Sequence, residues 1–203
     1  MKTLANLEGL DLVVLFPAEV SECLRGFPVN QRLESLVSQF MAIRHKIWVV
    51  DHGWEEDDKD HYDLCSTFLL LVKNGVVLAG CRLIHDVYGL PIRELVGETA
   101  VPSGSIELSR FCVTKNSTLP RSRLARLLVY GITIYTCRLE IAGKVCAVLR
   151  DSLILLLKNF QVQIEPVAGR TTRHRLSSFS PVLLDRWQTA DNLNLPVVAH
   201  TAG

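Results

Sequence analysis

The sequence predicts an α/β fold, with one mixed sheet carrying helices on both faces. Three observations lead there. Apolar runs of strand length alternate with segments of helical period in the order β, α, β-hairpin, β, α, β, α, β. Antiparallel strands followed by βαβα units give a sheet that is mixed rather than purely parallel. The chain has 203 residues, 48% hydrophobic and 21% charged, which suits a single domain spanning 1–203 with a substantial core.

The elements follow from local chemistry. Residues 10–16 (LDLVVLF) are short, apolar and β-branched, and read as a strand. Pro17, Gly26 and Pro28 then punctuate a turn-rich connection. Leu33, Leu36, Val37, Phe40, Ile43 and Ile47 recur every three to four residues and form the apolar stripe of a helix, with Asn30 as its N-cap. Residues 52–63 make an acidic, aromatic loop without periodicity. Two apolar runs flank Lys73-Asn74-Gly75, and an Asn-Gly turn in that position signals a hairpin. Residues 85–105 form the longest irregular stretch, of the kind that lines binding sites. Residues 106–113 (IELSRFCV) are a strand, 121–139 a helix, 144–149 a strand, 151–159 a helix and 161–167 a last strand. The tail from Ala168 has a mixed pattern that matches no element clearly.

Composition excludes several classes. A net charge of +1 gives no bulk electrostatic reason for a nucleic-acid partner. Glu8 and Asp11 interrupt any secretory h-region, and no run of about 18 apolar residues lacks charge, so neither a signal peptide nor a membrane span is expected. The six cysteines form no C-x-x-C pair and no zinc-spaced cluster. Buried free thiols in a reducing cytoplasm, and no metal, are the expectation.

Two clusters carry chemistry. Arg44 and Trp48 lie four apart near the end of the first helix and are followed by Trp54, Asp60, Tyr62 and Asp63. Tryptophan faces attract cations and stack on adenine, carboxylates pair with a sulfonium or an amine, and arginine forks onto a carboxylate. S-adenosylmethionine presents all of these groups. The plainer alternative is a core Trp48 and a solvated acidic loop, and that reading is preferred for Glu55, Glu56, Asp57 and Asp58. The second cluster is Arg82 with Glu107 and Arg110, charged residues in apolar strands. Burial there is costly without partners, so a cleft-facing network and a structural ion pair stand level. On an ideal strand Glu107 and Arg110, three apart, point to opposite faces.

The order Arg44-x-x-x-Trp48, Trp54, Asp60-x-Tyr62-Asp63, Gly80-Cys81-Arg82-Leu83 and Glu107-Leu108-Ser109-Arg110-Phe111-Cys112-Val113 resembles the acyl-homoserine-lactone synthase (autoinducer synthase) family, relatives of the GNAT-type N-acyltransferases. The E-L-S-R-F-x-V segment is the most specific part. The resemblance implies a three-layer αβα sandwich whose central sheet splays into a V, with an acyl-phosphopantetheine arm between the strand of Glu107 and that of 144–149. It implies a cytoplasmic acyltransferase of quorum sensing, with S-adenosylmethionine and acyl-carrier protein or acyl-CoA as substrates and no tightly bound cofactor. Arg44, Trp48, Trp54, Asp60, Asp63 and Arg82 would shape the S-adenosylmethionine pocket, Glu107 would help deprotonate the amine, and Arg110 would brace the network. Two departures stand out. Trp48 occupies a position that is usually phenylalanine, and the segment from Trp54 to Asp60 is short.

The donor's phosphate needs its own partners. Arg121, Ser122 and Arg123 open the helix after the Glu107 strand, where a helix N-terminus favours an anion. With Arg126 and Arg138 they make either a surface for an acidic carrier protein or a solvated helix face. The glycine-rich pyrophosphate loop of ordinary N-acetyltransferases is replaced by TKNSTLPRSR, which weakens a generic acetyl-CoA enzyme and leaves a carrier-protein donor open beside acyl-CoA. The competing expectations are a GNAT-like N-acyltransferase using acyl-CoA and a different amine, and a ligand-binding module without catalysis.

Overall fold

The β3–β4 hairpin sets the register of the first half of the molecule. In the computed structural model, which describes residues 1–51, 53, 59–139, 141, 143–168, 172–174 and 177–195, β3 is Thr67–Lys73 and β4 is Val76–His85. Asn74 and Gly75 between them have φ of 50° and 79°, the left-handed pair that a tight hairpin turn requires. The chain divides into two units, Met1–Ile84 with Arg110–Gly131, and His85–Ser109 with Ile132–Gly203.

In the first unit β1 (Lys2–Leu7), β2 (Leu10–Leu15), β3 and β4 form an antiparallel meander. Along β2, Val13 and Leu15 join the core formed with Leu33, Leu36, Val37 and Phe40 of α2 (Gln31–His45). Leu12, on the opposite face, meets Gly131 of α4 (Arg121–Cys137). The strand alternation therefore places one helix on each side of the sheet. Asn30 caps α2 by accepting the Arg32 N–H at 2.8 Å, as its sequence position predicts.

The region read as turn-rich after β2 is instead a helix, α1 (Pro17–Leu24). Pro17 occupies the first turn, where its missing N–H costs nothing, and Glu19 accepts the Phe16 N–H at 3.0 Å. Val20 anchors it in the core.

The second unit holds the start of β5 (Ile106–Val113), then β6 (Val145–Arg150), β9 (Ser177–Asp185) and β7 (Gln163–Pro166), with β8 (Thr172–His174) also paired to β9. β5 and β6 run parallel, but their ladder covers only Ile106↔Val145, Glu107↔Cys146 and Leu108↔Ala147, although β5 continues to Val113 and β6 to Arg150. The parallel ladder is thus shorter than either strand. β9 is antiparallel to both β6 and β7. It came from the tail that matched no element, and the short α6 (Arg186–Asn192) follows it. The helix α5 (Asp151–Asn159) agrees with the sequence reading, as do α4 and β5 within two residues. The loop at 85–105 contains two 3₁₀ turns and a four-residue helix, α3 (Arg93–Val96).

All six cysteines are free thiols; Cys81, Cys112, Cys137 and Cys146 are buried, while Cys23 and Cys65 are half-buried. Burial pushes the Cys137 thiol up to about 11 and raises Cys146 further. Among the described residues no helix is long and apolar enough to cross a membrane.

Gly80 faces the α2 core. A Cβ there would sit 2.6 Å from Leu70 Cδ2 and 2.8 Å from Phe40 Cε2, both on fully buried side chains. Gly80→Ala should cost about 1–3 kcal/mol through overpacking. Urea unfolding checks this, and a neutral result would mean that α2 can move off the sheet freely.

Candidate functional site

The first unit concentrates three arginines and two aspartates in one network. Arg44 lies at the end of α2, fully buried, where the helix passes into a π-helical turn, Lys46–Asp51. Its Nη1 donates to Asp63 Oδ1 at 2.7 Å and its Nη2 to Asp63 Oδ2 at 3.2 Å. Nη1 also reaches Met41 Sδ at 3.4 Å, and the guanidinium lies 5.7 Å from the centre of the Phe40 ring. Asp63 belongs to a 3₁₀ turn, His61–Cys65, that Asp60 caps by accepting the Tyr62 N–H at 3.0 Å. In return Asp63 Oδ2 accepts the Asp60 N–H at 3.3 Å. This reciprocal cap explains the D-x-Y-D spacing structurally.

Arg82, on β4 and 3% exposed, bridges both aspartates through Nη1, at 2.8 Å from Asp63 Oδ1 and 2.5 Å from Asp60 Oδ1. Arg110, on β5, donates through Nη2 to Asp60 Oδ2 at 3.2 Å. Aromatic rings cover the cations. Arg82 lies 5.9 Å from the centre of the Tyr62 ring, and Arg110 lies 5.6 Å from that of Trp48. Trp48 is held in turn by its Nε1–H, 3.3 Å from Cys112 Sγ. Among the described residues, three guanidinium groups and two carboxylates make up this network.

Burial alone would raise the Asp63 carboxyl, but the hydrogen bonds and charges of Arg44 and Arg82 outweigh it and hold the group below the usual carboxylate range. Arg110 itself has φ of 53°, a left-handed backbone inside a strand, which costs on the order of 1–3 kcal/mol. The alternation assumed for an ideal strand therefore does not pass through Arg110.

Six of the residues singled out in the sequence thus meet: Arg44, Trp48, Asp60, Asp63, Arg82 and Arg110. Trp54 lies outside the described residues. Glu107 belongs to the second unit, buried, with its Oε2 accepting the Ile92 N–H at 2.8 Å. Arg121, Ser122 and Arg123 stand exposed at the start of α4. There Arg123 donates to Glu8 Oε2 through Nε at 2.9 Å and Nη2 at 2.7 Å, a half-exposed pair worth little and easily exchanged. Arg126 donates to Tyr130 Oη at 2.6 Å. One contributor escaped the sequence reading of the site: the Ile92 amide, which meets Glu107 and which no side-chain pattern announces.

No family model matches the sequence. Solved structures do match the fold. The chain is similar to BjaI, a CoA-dependent acyl-homoserine lactone synthase determined with SAM and isopentyl-CoA, at 19% identity and a TM-score of 0.71, over 93% of this chain and 91% of that one. It is similar to the synthase LasI at 17% identity and a TM-score of 0.69, over 91% and 95%. It is also similar to an acyl-CoA N-acyltransferase from Pseudomonas aeruginosa at 14% identity and a TM-score of 0.61, over 86% and 99%. The fold is the mixed-sheet α/β fold of GNAT-type acyltransferases. Within that class, these neighbours include the synthases BjaI and LasI.

Removing one partner of a buried pair strands the other charge, so Arg44→Met should destabilise the chain by about 3–5 kcal/mol in urea unfolding. A loss under 1 kcal/mol would mean that Asp63 is satisfied without Arg44. The folded-state value of Asp63 is depressed, so its contribution is complete above the unfolded-state value of about 3.9 and is lost as pH falls through the lower folded value. Stability of the unaltered chain should therefore drop below about pH 4. Asp63→Asn, less stable at neutral pH, should lack that part of the drop, and parallel stability-against-pH curves would contradict the pairing.

Proposed function

We propose that this chain is an acyl-homoserine-lactone synthase. It transfers an acyl group from acyl-carrier protein or acyl-CoA to the amine of S-adenosylmethionine and closes the lactone with release of 5′-methylthioadenosine, producing a quorum-sensing signal in the cytoplasm. The observation that carries the reading is the Arg44–Asp63–Arg82–Asp60–Arg110 network with its aromatic covers, on a fold shared with BjaI and LasI.

The residues divide the work. Arg82 and Arg110 would be the partners of the carboxylate at the amino-acid end. Trp48 and Tyr62 would offer faces to the adenine and the sulfonium. Arg44 is fully buried on Asp63, so its part is to hold that carboxylate in place rather than to reach substrate. Glu107, directly or through water, takes a proton from the ammonium. The free amine attacks the thioester carbonyl, the new C–N bond forms, and the thiol leaves. The ligand's carboxylate then attacks the carbon bound to the sulfonium, and the C–S bond breaks to release methylthioadenosine. That second step needs no added base, only a folded substrate chain, so positioning supplies most of it. Backbone N–H groups where β5 and β6 part would meet the oxyanion. Arg121, Ser122 and Arg123 would receive the donor's phosphate, with Arg123 exchanging Glu8 for it.

A second reading is a GNAT-like N-acyltransferase that uses acyl-CoA and another amine. The likeness to the Pseudomonas aeruginosa acyl-CoA N-acyltransferase favours it, and the TKNSTLPRSR segment in place of a glycine-rich loop speaks against it.

Incubation with S-adenosylmethionine and a panel of acyl-CoA and acyl-carrier-protein thioesters should release methylthioadenosine, detected by mass spectrometry. Its absence across the panel would refute the synthase reading. Glu107→Gln should reduce turnover by about 10²-fold or more, in the range of a lost general base, with a much smaller change in thermal midpoint. Undiminished turnover would remove Glu107 from the chemistry.

A further inference from the structure

The loop at 85–105 is irregular, yet one carboxylate ties it together. Asp86, at its start, receives both arms of the Arg93 guanidinium, with Nη2 at 3.0 Å from Oδ2. The same Oδ2 accepts the Gly104 N–H at 2.6 Å, and the Asp86 N–H donates to Ser105 O at 3.2 Å. One side chain thus links the entry, the middle and the exit of the loop. The Asp86 and Arg93 side chains are 18% and 13% exposed, buried enough for the pair to hold its geometry. The carboxylate titrates below its usual range because of the Arg93 hydrogen bond, against the opposing effect of burial.

The clamp has a direct product. Ile92, the residue before Arg93, is fully buried and aims its N–H at Glu107 Oε2 from 2.8 Å. Glu107 itself is fixed on the sheet, paired with Cys146 across the β5–β6 ladder. The exit is fixed independently. Ser105 Oγ donates to Pro102 O at 2.7 Å and accepts the Lys144 N–H at 3.1 Å, and Gly143 packs so closely on Ser105 that a Cβ there would lie 2.5 Å from the Ser105 nitrogen.

We infer that Asp86 is a positioning residue for Glu107: through Arg93 it holds the Ile92 amide against the Glu107 carboxylate and so sets the direction in which that carboxylate meets the amine. The inference rests on the reading of Glu107 as the proton acceptor. Its geometric half is testable without turnover.

The experiment uses the full chain labelled with ¹⁵N-isoleucine. Glu107→Gln identifies the Ile92 amide as the resonance that moves when the charged acceptor becomes neutral. Asp86→Ala should move that same amide upfield. With S-adenosylmethionine and the acyl-thioester panel, it should lower kcat about tenfold or more while KM for S-adenosylmethionine changes less than about twofold, as misplacement of a reacting group does. Arg93→Lys keeps the charge and loses the fork, and should give the same amide shift with a smaller loss of kcat. It serves if Asp86→Ala does not fold. An Ile92 amide unmoved in the folded variants, or a kcat that falls only in proportion to the folded fraction, overturns the inference. Undiminished turnover by Glu107→Gln would instead refute the role of Glu107, and the two failures are told apart because the amide shift is read without substrate.

Discussion

Asp63 sits between two buried guanidinium groups, and the first unit's site is organised around that fact. Arg44 and Arg82 are 0% and 3% exposed. Each would be too costly to bury alone, and one carboxylate with both oxygens engaged makes the pair tolerable. The consequence is geometric. The end of α2, the 3₁₀ turn at His61–Cys65 and strand β4 are tied through one side chain, and Asp60 extends the tie to β5 through Arg110. Apolar residues of similar volume often give equal or greater stability than such a network. Its presence is therefore not explained by stability alone.

Arg110 carries the other cost. A left-handed residue in a strand persists only where its surroundings determine it. Here Asp60 and the Trp48 ring both hold the side chain. The strain falls on the strand that begins in a parallel ladder with β6 at Ile106–Leu108 and then runs on beyond it. A regular strand would keep alternating its side chains. With φ of 53° the chain after Ser109 is re-aimed, and the guanidinium reaches Asp60.

Much of this was legible in the sequence where local chemistry and global fold agree. The Asn74-Gly75 turn, the apolar stripe of α2 with its Asn30 cap, and the apolar alternation of β5 each have a single sensible reading. The failures have physical causes. β1 (KTLANL) is an edge strand whose apolar residues Leu4, Ala5 and Leu7 do not alternate. α1 begins with a proline that also marks turns. β9 contains Pro181, which argues against a strand inside a sheet. The proline is tolerated because it falls between the residues paired with β8, ending at Phe179, and those paired with β7, starting at Val182. Its carbonyl still accepts the Val167 N–H at 3.1 Å. For the site, the members of the ion network were readable from their order, but the assignment of partners was not. Arg44 and Asp63 are 19 residues apart, and only the fold decides that they pair with each other rather than with a ligand.

The same partner assignment separates binding from proton transfer. Asp63 is kept ionised by two arginines, which makes it a poor proton acceptor. Asp60 spends its oxygens on Arg82, Arg110 and the Tyr62 amide. A carboxylate so engaged orients cations. Glu107 accepts the neutral amide of Ile92 at one oxygen, which fixes the direction of that carboxylate. Under the proposed reading the two aspartates serve recognition and the glutamate serves proton removal, and the clamp centred on Asp86 bears on the second.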